Sequence, residues 1–260
     1  MKTRAFTLIE LLVVMTIVAI LLSLSLGVMQ SVKERGQAAQ CVSNLHQLAI
    51  AVGAYAADNS GRYVTAQDPT NTIRWHGVRG GDEGSTFDPT KGPLAPYLGQ
   101  EGRVKLCPTL RDVLQGADTF EEGTGGYGYN EIYVGGTPRN RYIGELLANV
   151  PRPALTVMFT DTAFPRANGL QEYPYCEPFR SIDAAGRLRG VLSPSVHFRH
   201  ARHANVAWCD GHVSAELPSQ LGTSNYYGGD AAKWKIGWFG PNAENGYWNP
   251  GRSYMNAPGN

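Results

Sequence analysis

The segment Phe6-Thr-Leu-Ile-Glu-Leu-Leu-Val-Val14 opens an apolar stretch that continues to Met29, with Glu10 as its only formal charge. A helix needs about 20 mostly apolar residues to cross the hydrocarbon core of a bilayer, and residues 6–29 reach that length. Because a charged group is costly inside such a helix, it usually has a partner and a function. A cut between Ala5 and Phe6 would create that partner, an amine one helical turn before Glu10. The segment therefore predicts a membrane-inserted helix with a processed N-terminus.

Two cations, Lys2 and Arg4, precede the apolar stretch. They place the N-terminus in the cytoplasm and the rest of the chain outside. An ordinary secretory signal would have a shorter apolar core followed by a small-residue cleavage site, for which Ser23-Leu-Ser25 is a poor match. A plain uncleaved anchor would leave Glu10 unexplained. Both remain alternatives to processing before Phe6.

Residues 1–14 resemble the N-terminal signal of type IV prepilins and of the pseudopilins of type II secretion. The shared pattern is a short basic leader, a small residue, and then the sequence of Phe6–Val14. The family nearly always has Gly before the cut, where this chain has Ala5. The resemblance implies that a prepilin peptidase removes residues 1–5 and methylates the Phe6 amine. It also implies that Glu10 neutralises the Phe6 amine of a neighbouring subunit during assembly.

The composition of the whole chain indicates its general class. A net charge of +1 over 260 residues gives no electrostatic reason to expect a nucleic acid partner. The 31 glycines and 16 prolines favour a loop-rich domain containing sheets over a helical bundle. About 200 residues beyond the first helix are enough for one domain with a hydrophobic core.

The chain has four widely spaced cysteines: Cys41, Cys107, Cys176 and Cys209. Outside the cytoplasm disulfides persist, and four cysteines allow three pairings. We expect at least one disulfide, with Cys41–Cys107 as the first choice. A zinc site is the rival interpretation, although metal-binding cysteines usually occur in close pairs.

The apolar helix is expected to continue beyond the membrane. Its second half has one apolar stripe with steps of four and three residues, formed by Cys41, Leu45, Leu48, Val52 and Tyr55. Gln40, Ser43, Asn44, Gln47 and Ala51 are assigned to the opposite face. We expect a helix over residues 7–57, with Gly27 and Gly36 as the places where it would bend.

Later elements are expected to be short. Residues 60–150 are rich in turn-forming residues and predict long connections. Residues 155–160 predict a strand that ends at Asp161. Residues 204–209 and 212–217 predict a hairpin with Asp210-Gly211 as a two-residue turn, which places Val206 and Trp208 on one face of the strand. Residues 221–260 read as aromatic loops packed over the sheet.

A second resemblance covers most of the chain. Cys41-Val-Ser-Asn-Leu-His-Gln-Leu48, Tyr55-Ala-Ala-Asp-Asn-Ser-Gly61, Cys107-Pro108, Gly126-Tyr-Gly-Tyr-Asn130 and Asp161 occur in this order in one group of prepilin-like proteins. That group also has His, nine residues, and then Asp-Gly near its C-terminus, which here is His200 followed by Asp210-Gly211. The resemblance implies an architecture more than an activity.

The segment around this signature is rich in possible metal ligands. His197, His200, His203, Asp210 and His212 lie close together in sequence, and a hairpin could bring His203 near His212. The candidate metal set is His200, Asp210, His203, His212 and Asp161, with Ca²⁺ as the ion that this chemistry suits best outside the cell. The favoured interpretation is structural, in which Asp210-Gly211 forms the turn and the histidines pair with Asp or carbonyl groups, while a bound cation and an acid–base pair with Asp161 are the alternatives.

These observations predict an α+β, pilin-like fold, in which a long N-terminal helix, transmembrane and then amphipathic, packs on a small antiparallel sheet with long loops. The expected divisions are a leader (1–5), a transmembrane half-helix (6–29), an amphipathic half-helix (30–59) and an extracytoplasmic domain (60–260). We expect a structural subunit and not an enzyme, and no catalytic residue is assigned.

The expected location is the inner membrane and then a periplasmic or surface filament. The expected partners are other pilins, a prepilin peptidase and an inner-membrane assembly platform. The alternative function is a membrane-anchored binding or metal-dependent hydrolytic domain that does not polymerise.

Overall fold

The computed structural model describes residues 7–82, 84–114, 121–137, 141–167, 169–183, 185–225 and 228–251, and for residues 24–28 and 30 it describes the backbone alone. The predicted leader, Phe6 and residues 252–260 of the tail lie outside this range. The fold is α+β, with a long N-terminal helix and several small antiparallel sheets, as in a pilin-like protein. The predicted fold class is confirmed, with several small sheets in place of one.

The first helix, α1, is a single element of 51 residues, Leu8–Asp58. It begins after the N-cap Thr7 and ends at Asn59, whose backbone N–H bonds to the carbonyl of Ala56. Its helical backbone continues through Gly27 and Gly36. Over the described residues, no helix combines the length and the sustained apolar character that crossing a membrane requires.

The second half of α1 docks on the globular part of the chain. Cys41, Leu45, Leu48 and Val52 are buried, and Tyr55 is partly buried against the same core, as the stripe predicts. The buried face is wider than predicted, because Asn44 and Ala51 were assigned to the opposite face and are also buried. The Asn44 amide remains satisfied, since its Nδ2 donates to the Tyr127 hydroxyl at 3.0 Å.

The other elements are short. The second helix, α2, is Pro108–Arg111, and 3₁₀ turns occupy Pro89–Lys91, Ala95–Tyr97, Leu147–Asn149, Pro153–Leu155 and Ala243–Trp248. The strands are β1 (Ile73–Arg74), β2 (Gly77–Val78), β3 (Tyr127–Tyr129), β4 (Val157–Asp161), β5 (Phe164–Arg166), β6 (Gly169–Gln171), β7 (Arg180–Ile182), β8 (Leu188–Val191), β9 (Val196–His197), β10 (Ala204–Trp208), β11 (Val213–Glu216), β12 (Gln220–Leu221) and β13 (Ile236–Trp238).

The central sheet has four antiparallel strands in the order β11-β10-β4-β3. One face contributes Phe159 and Ala207 to the core that contains the buried stripe of α1. The other face contributes Val206 and Trp208 to a second core, as the predicted alternation requires. Strand β9 of a second sheet, in the order β12-β13-β9, adds Val196 to this second core, which also contains Phe239 and Trp248, whereas Ile236 of β13 belongs to the first core. The central sheet therefore separates the core that contains α1 from the core that contains Phe239 and Trp248.

The turn of the β10–β11 hairpin differs from the prediction. Ala207 pairs with Val213, and the Trp208 N–H donates to the His212 carbonyl, so residues 209–211 form a three-residue loop. Gly211 has a φ of +92° there, a conformation that glycine adopts at little cost. The Asp-Gly pair is part of the turn, but the predicted two-residue loop is wrong because the register includes Cys209 in the loop.

Strand β3 was not expected within the glycine-rich region before residue 150. It pairs with the buried strand β4, and its middle residue is Gly128. A Cβ at this position would overlap the Thr162 methyl group and the Tyr175 backbone. Glycine is therefore required by the close approach of two chain segments, which local sequence does not reveal.

Candidate functional site

The N-terminus of α1 is held by a reciprocal cap. The Thr7 hydroxyl oxygen accepts from the Glu10 N–H at 3.3 Å, while the Thr7 N–H and hydroxyl donate to Glu10 Oε2 at 2.9 and 2.7 Å. Such a capping box satisfies donors at a helix N-terminus that would otherwise lack partners. Ala5 and Phe6, the predicted processing residues, lie outside the described residues. The carboxylate that the sequence assigns to assembly thus lies on the first turn of the helix.

The helix beyond this cap exposes apolar side chains around its circumference. Leu8 is 86 % exposed, and the same is true to a lesser degree of Ile9, Leu11, Leu12, Val13, Val14, Met15, Ile17, Val18, Ile20, Leu21 and Leu22. Exposed apolar surface on this scale is characteristic of an interaction site. The described chain leaves this half of α1 uncovered, whereas the docked half is buried by the chain's own core.

A buried polar cluster lies where the docked half of α1 meets the central sheet. Cys41 of α1 and Cys107, which precedes α2, are joined by a disulfide with a Cα–Cα distance of 5.3 Å. Cys176 and Cys209 are free thiols. The Cys41–Cys107 bond fixes α1 to the globular part near the point where docking begins.

Asp161, the last residue of β4, is the carboxylate of this cluster and is fully buried. Its Oδ1 accepts from Arg199 Nη2 at 2.6 Å, and its Oδ2 accepts from the Asn205 N–H at 2.7 Å. Burial alone would raise the pKa of Asp161, but the Arg199 guanidinium and the hydrogen bonds from His200 and Asn205 outweigh it and lower the pKa. The carboxylate is therefore ionised and paired.

Arg199 links the carboxylate to the disulfide. Its Nε donates to Cys107 Sγ at 3.3 Å, and its remaining N–H groups bond to the Thr162 and Gly126 carbonyls at 3.1 and 2.8 Å. His197 is also buried, and burial together with the Arg199 charge holds the pKa of its ring well below the usual range. The cluster therefore contains a fixed cation beside a neutral imidazole.

His200 completes the cluster from the turn between β9 and β10. Its Nε2 lies 3.3 Å from Asp161 Oδ2 and 3.7 Å from Cys107 Sγ. The backbone of His200 bonds reciprocally with that of His203. Among the predicted metal ligands, the structure brings His200 and Asp161 together.

The other predicted ligands lie elsewhere. His203 precedes β10, and its Nδ1 lies 3.1 Å from the Ala201 carbonyl. Asp210 and His212 lie at the far end of the hairpin, where His212 Nδ1 is 2.7 Å from Asp210 Oδ1 and the ring stacks on Trp208. The register of β10 with β11 places His203 and His212 at opposite ends of the strand pair, so the expected proximity of these two histidines is wrong. The five predicted ligands do not form one site.

Two members of the cluster were not expected from the sequence. Arg199 was not among the candidate residues, and Cys107 was considered as a disulfide or zinc cysteine but not as a neighbour of His200 and Asp161. Their contacts join chain segments that lie more than 90 residues apart. Cys107 lies in a quoted motif and Arg199 directly precedes His200 of the C-terminal signature, but position along the chain carries no spatial information.

Comparison with known families supports the N-terminal segment alone. A family described as the prokaryotic N-terminal methylation motif matches residues 1–26. This match identifies a type IV pilin-like prepilin segment that is typical of membrane-anchored, exported precursors. No curated protein and no solved structure matches the chain.

Proposed function

We propose that this chain is a structural subunit, a pilin or pseudopilin, of a type IV pilus-like or type II secretion-like filament, and that it has no enzymatic role. A prepilin peptidase removes residues 1–5 and methylates Phe6, and the mature subunit assembles through α1. The observation that carries the proposal is the methylation motif at residues 1–26, which leads into a helix with an exposed apolar half and a docked half.

The exposed half of α1 explains how one helix can serve two locations. Before assembly a bilayer surrounds the apolar side chains, and after extraction the helices of sister subunits surround them instead. Both environments are apolar, so the exchange between them rests on packing and polar contacts between helices and less on the hydrophobic effect. An inner-membrane assembly platform and other pilins are the partners that this exchange needs. The docked half keeps the globular domain at the filament surface.

Glu10 supplies the polar contact. A carboxylate among packed apolar helices is heavily penalised unless a cation pairs with it. The hydrogen bonds described for its side chain involve Oε2 and come from Thr7, and Oε1 is the oxygen that we assign to a further donor. The processed amine of Phe6 in a neighbouring subunit supplies that donor and adds a positive charge. Addition of a subunit is thereby coupled to correct axial register.

The test separates the charge of Glu10 from its role in the helix cap. Glu10→Gln keeps a side chain that can complete the capping box but removes the negative charge. Thr7→Ala weakens the cap, at a cost of about 1 kcal/mol, and keeps the charge. We expect Glu10→Gln to enter the membrane normally and to be lost from sheared surface filaments, whereas Thr7→Ala is incorporated.

The intact mass of the native protein, measured first, shows whether residues 1–5 have been removed and Phe6 methylated. Normal filaments from Glu10→Gln would refute the pairing role. A native protein that keeps its leader and occurs only as single molecules would support the tethered, non-polymerising domain instead.

A further inference from the structure

Four separate elements bring ligand atoms together around the Cys41–Cys107 pair. The Sγ atoms of Cys41 and Cys107 and a ring nitrogen of His200 all lie within 4.8 Å of one another. Asp161 Oδ2 lies 3.3 Å from His200 Nε2. All four residues are buried, so an ion held there would be shielded from bulk water.

We propose that, in the thiol form of the chain, Cys41, Cys107 and His200 bind a zinc-class divalent ion, with Asp161 as the fourth ligand. The ion and the disulfide exclude each other, because each requires both sulfurs. This set differs from the sequence-predicted one, since it lacks His203, Asp210 and His212 and includes the two cysteines. The proposal does not depend on filament assembly.

Two of the distances between ligand atoms already suit tetrahedral zinc. Zn–S and Zn–N bonds of about 2.3 and 2.0 Å place neighbouring ligand atoms roughly 3.3–3.8 Å apart. His200 Nε2 lies 3.7 Å from Cys107 Sγ and 3.3 Å from Asp161 Oδ2. The two sulfurs, which are bonded to each other in the disulfide, have to move apart, and Asp161, which lies outside the group of ligand atoms within 4.8 Å of one another, has to approach them.

The charges of the cluster also balance with an ion present. A buried charge is tolerated only when it is paired. In the disulfide form Asp161 and Arg199 neutralise each other. In the thiolate form two sulfurs and Asp161 carry three negative charges, and a divalent ion with Arg199 carries three positive charges. Arg199 Nε already donates to Cys107 Sγ at 3.3 Å, which is the kind of outer hydrogen bond that orients and tunes metal ligands.

The two forms are connected by balanced steps. The newly made chain has two thiols, and binding of the ion releases one proton from each thiol to water. A disulfide of an exchange protein then oxidises the pair. The S–S bond of Cys41–Cys107 forms while the exchange protein's disulfide is reduced to two thiolates, which take up two protons from water, and the ion leaves. In either form α1 remains joined to the domain, first through the metal and then through the covalent bond.

The experiment uses the full chain in detergent with Cys176→Ala and Cys209→Ala, so that Cys41 and Cys107 are the only cysteines. A phosphine reduces the disulfide, taking oxygen from water to become a phosphine oxide and leaving two thiols. Cobalt(II) is then added without oxygen. We expect one cobalt per chain, with a thiolate-to-cobalt charge-transfer band and strong tetrahedral d–d bands that zinc abolishes. The unreduced protein should show neither band.

Variants assign the nitrogen ligand. His200→Ala should weaken cobalt binding by more than about 10-fold. Loss of an outer-shell partner alone typically costs about 10- to 100-fold, and His200 is a direct ligand in this proposal. The matched control, His203→Ala, removes a neighbouring imidazole and should bind as the parent does. His200→Cys supplies a sulfur in place of the ring and should retain tetrahedral binding. Circular dichroism of each variant separates loss of a ligand from loss of folding.

Two results would overturn the site. The first is a reduced parent protein without a charge-transfer band. The second is equal cobalt affinity in His200→Ala and His203→Ala. If His200→Ala does not fold, the site is tested instead by the spectrum of the reduced parent and by the cobalt affinities of His203→Ala and His200→Cys.

Discussion

Glu177 is a carboxyl group in an unfavourable place for a charge. It is buried, its Oε1 accepts from the Tyr173 hydroxyl at 2.7 Å, and its backbone N–H donates to Ser195 Oγ at 2.9 Å. Burial raises the pKa of Glu177 to about 7, against the lowering effect of the tyrosine hydrogen bond. Burial and the neighbouring Glu177 charge also raise the pKa of Glu131 well above its usual range. The pair favours a bound proton in the folded state.

This raised pKa predicts a pH-dependent loss of stability. The folded chain keeps a proton that the unfolded chain loses above about pH 4.5, so stability falls as the pH rises from there through about 7. Glu177→Gln should therefore be more stable than the parent at pH 8 and should have a smaller loss between pH 5 and pH 8, as measured by denaturant unfolding. The exposed Glu101→Gln is the control and should follow the parent. Parallel pH profiles for Glu177→Gln and the parent would contradict the assignment.

At this scale the sequence was informative about types of residue and silent about partners. The methylation motif marks Glu10 because an acid is unusual within an apolar run. Asp161 was selected as a possible ligand, but its pairing with Arg199 depends on how β4 meets the turn after β9. Such a pairing is set by the fold and not by local spacing. Glu177 drew no attention because nothing in its neighbourhood along the chain reveals its burial.

At the scale of elements, the docking of α1 allows a direct comparison along one helix. Leu48 is 1 % exposed within the main core, whereas Ile50 is 71 % exposed. Leu48→Ala should reduce the free energy of unfolding by about 2–5 kcal/mol, since it removes buried methyl groups and leaves a cavity. Ile50→Ala should change it by less than about 0.5 kcal/mol. Both values come from denaturant unfolding of the full chain. Equal losses would mean that the docked face of α1 is oriented differently.

The same comparison explains which elements were predictable. The stripe of α1 repeats over several turns, so its period identified both the helix and its core face. Strands β4 and β10 have buried apolar runs and were expected within two residues of their bounds. Strands β3 and β13 each have glycine in the middle, which locally indicates a turn. They form because a neighbouring strand supplies the backbone partners.

At the scale of the whole molecule, a helix with an exposed apolar half is joined to a loop-rich domain. The docked half of α1 contributes a buried stripe, and the domain contributes two cores on either side of the central sheet. Long connections make such a domain costly to order, because each fixed residue loses conformational freedom. A covalent link between the helix and the domain reduces this cost in the unfolded chain.

The Cys41–Cys107 disulfide therefore carries a prediction for the molecule as a whole. It joins residues 66 positions apart, and loop-closure entropy for that separation corresponds to about 4 kcal/mol. Cys41→Ala/Cys107→Ala should lower the free energy of unfolding by this amount and should make the junction between α1 and the domain more susceptible to proteolysis. The half-buried free thiol provides the control, because Cys209→Ala leaves the link intact. Measurements with a chelator present exclude any metal contribution. If the double variant and Cys209→Ala were equally stable, α1 would be held by packing alone.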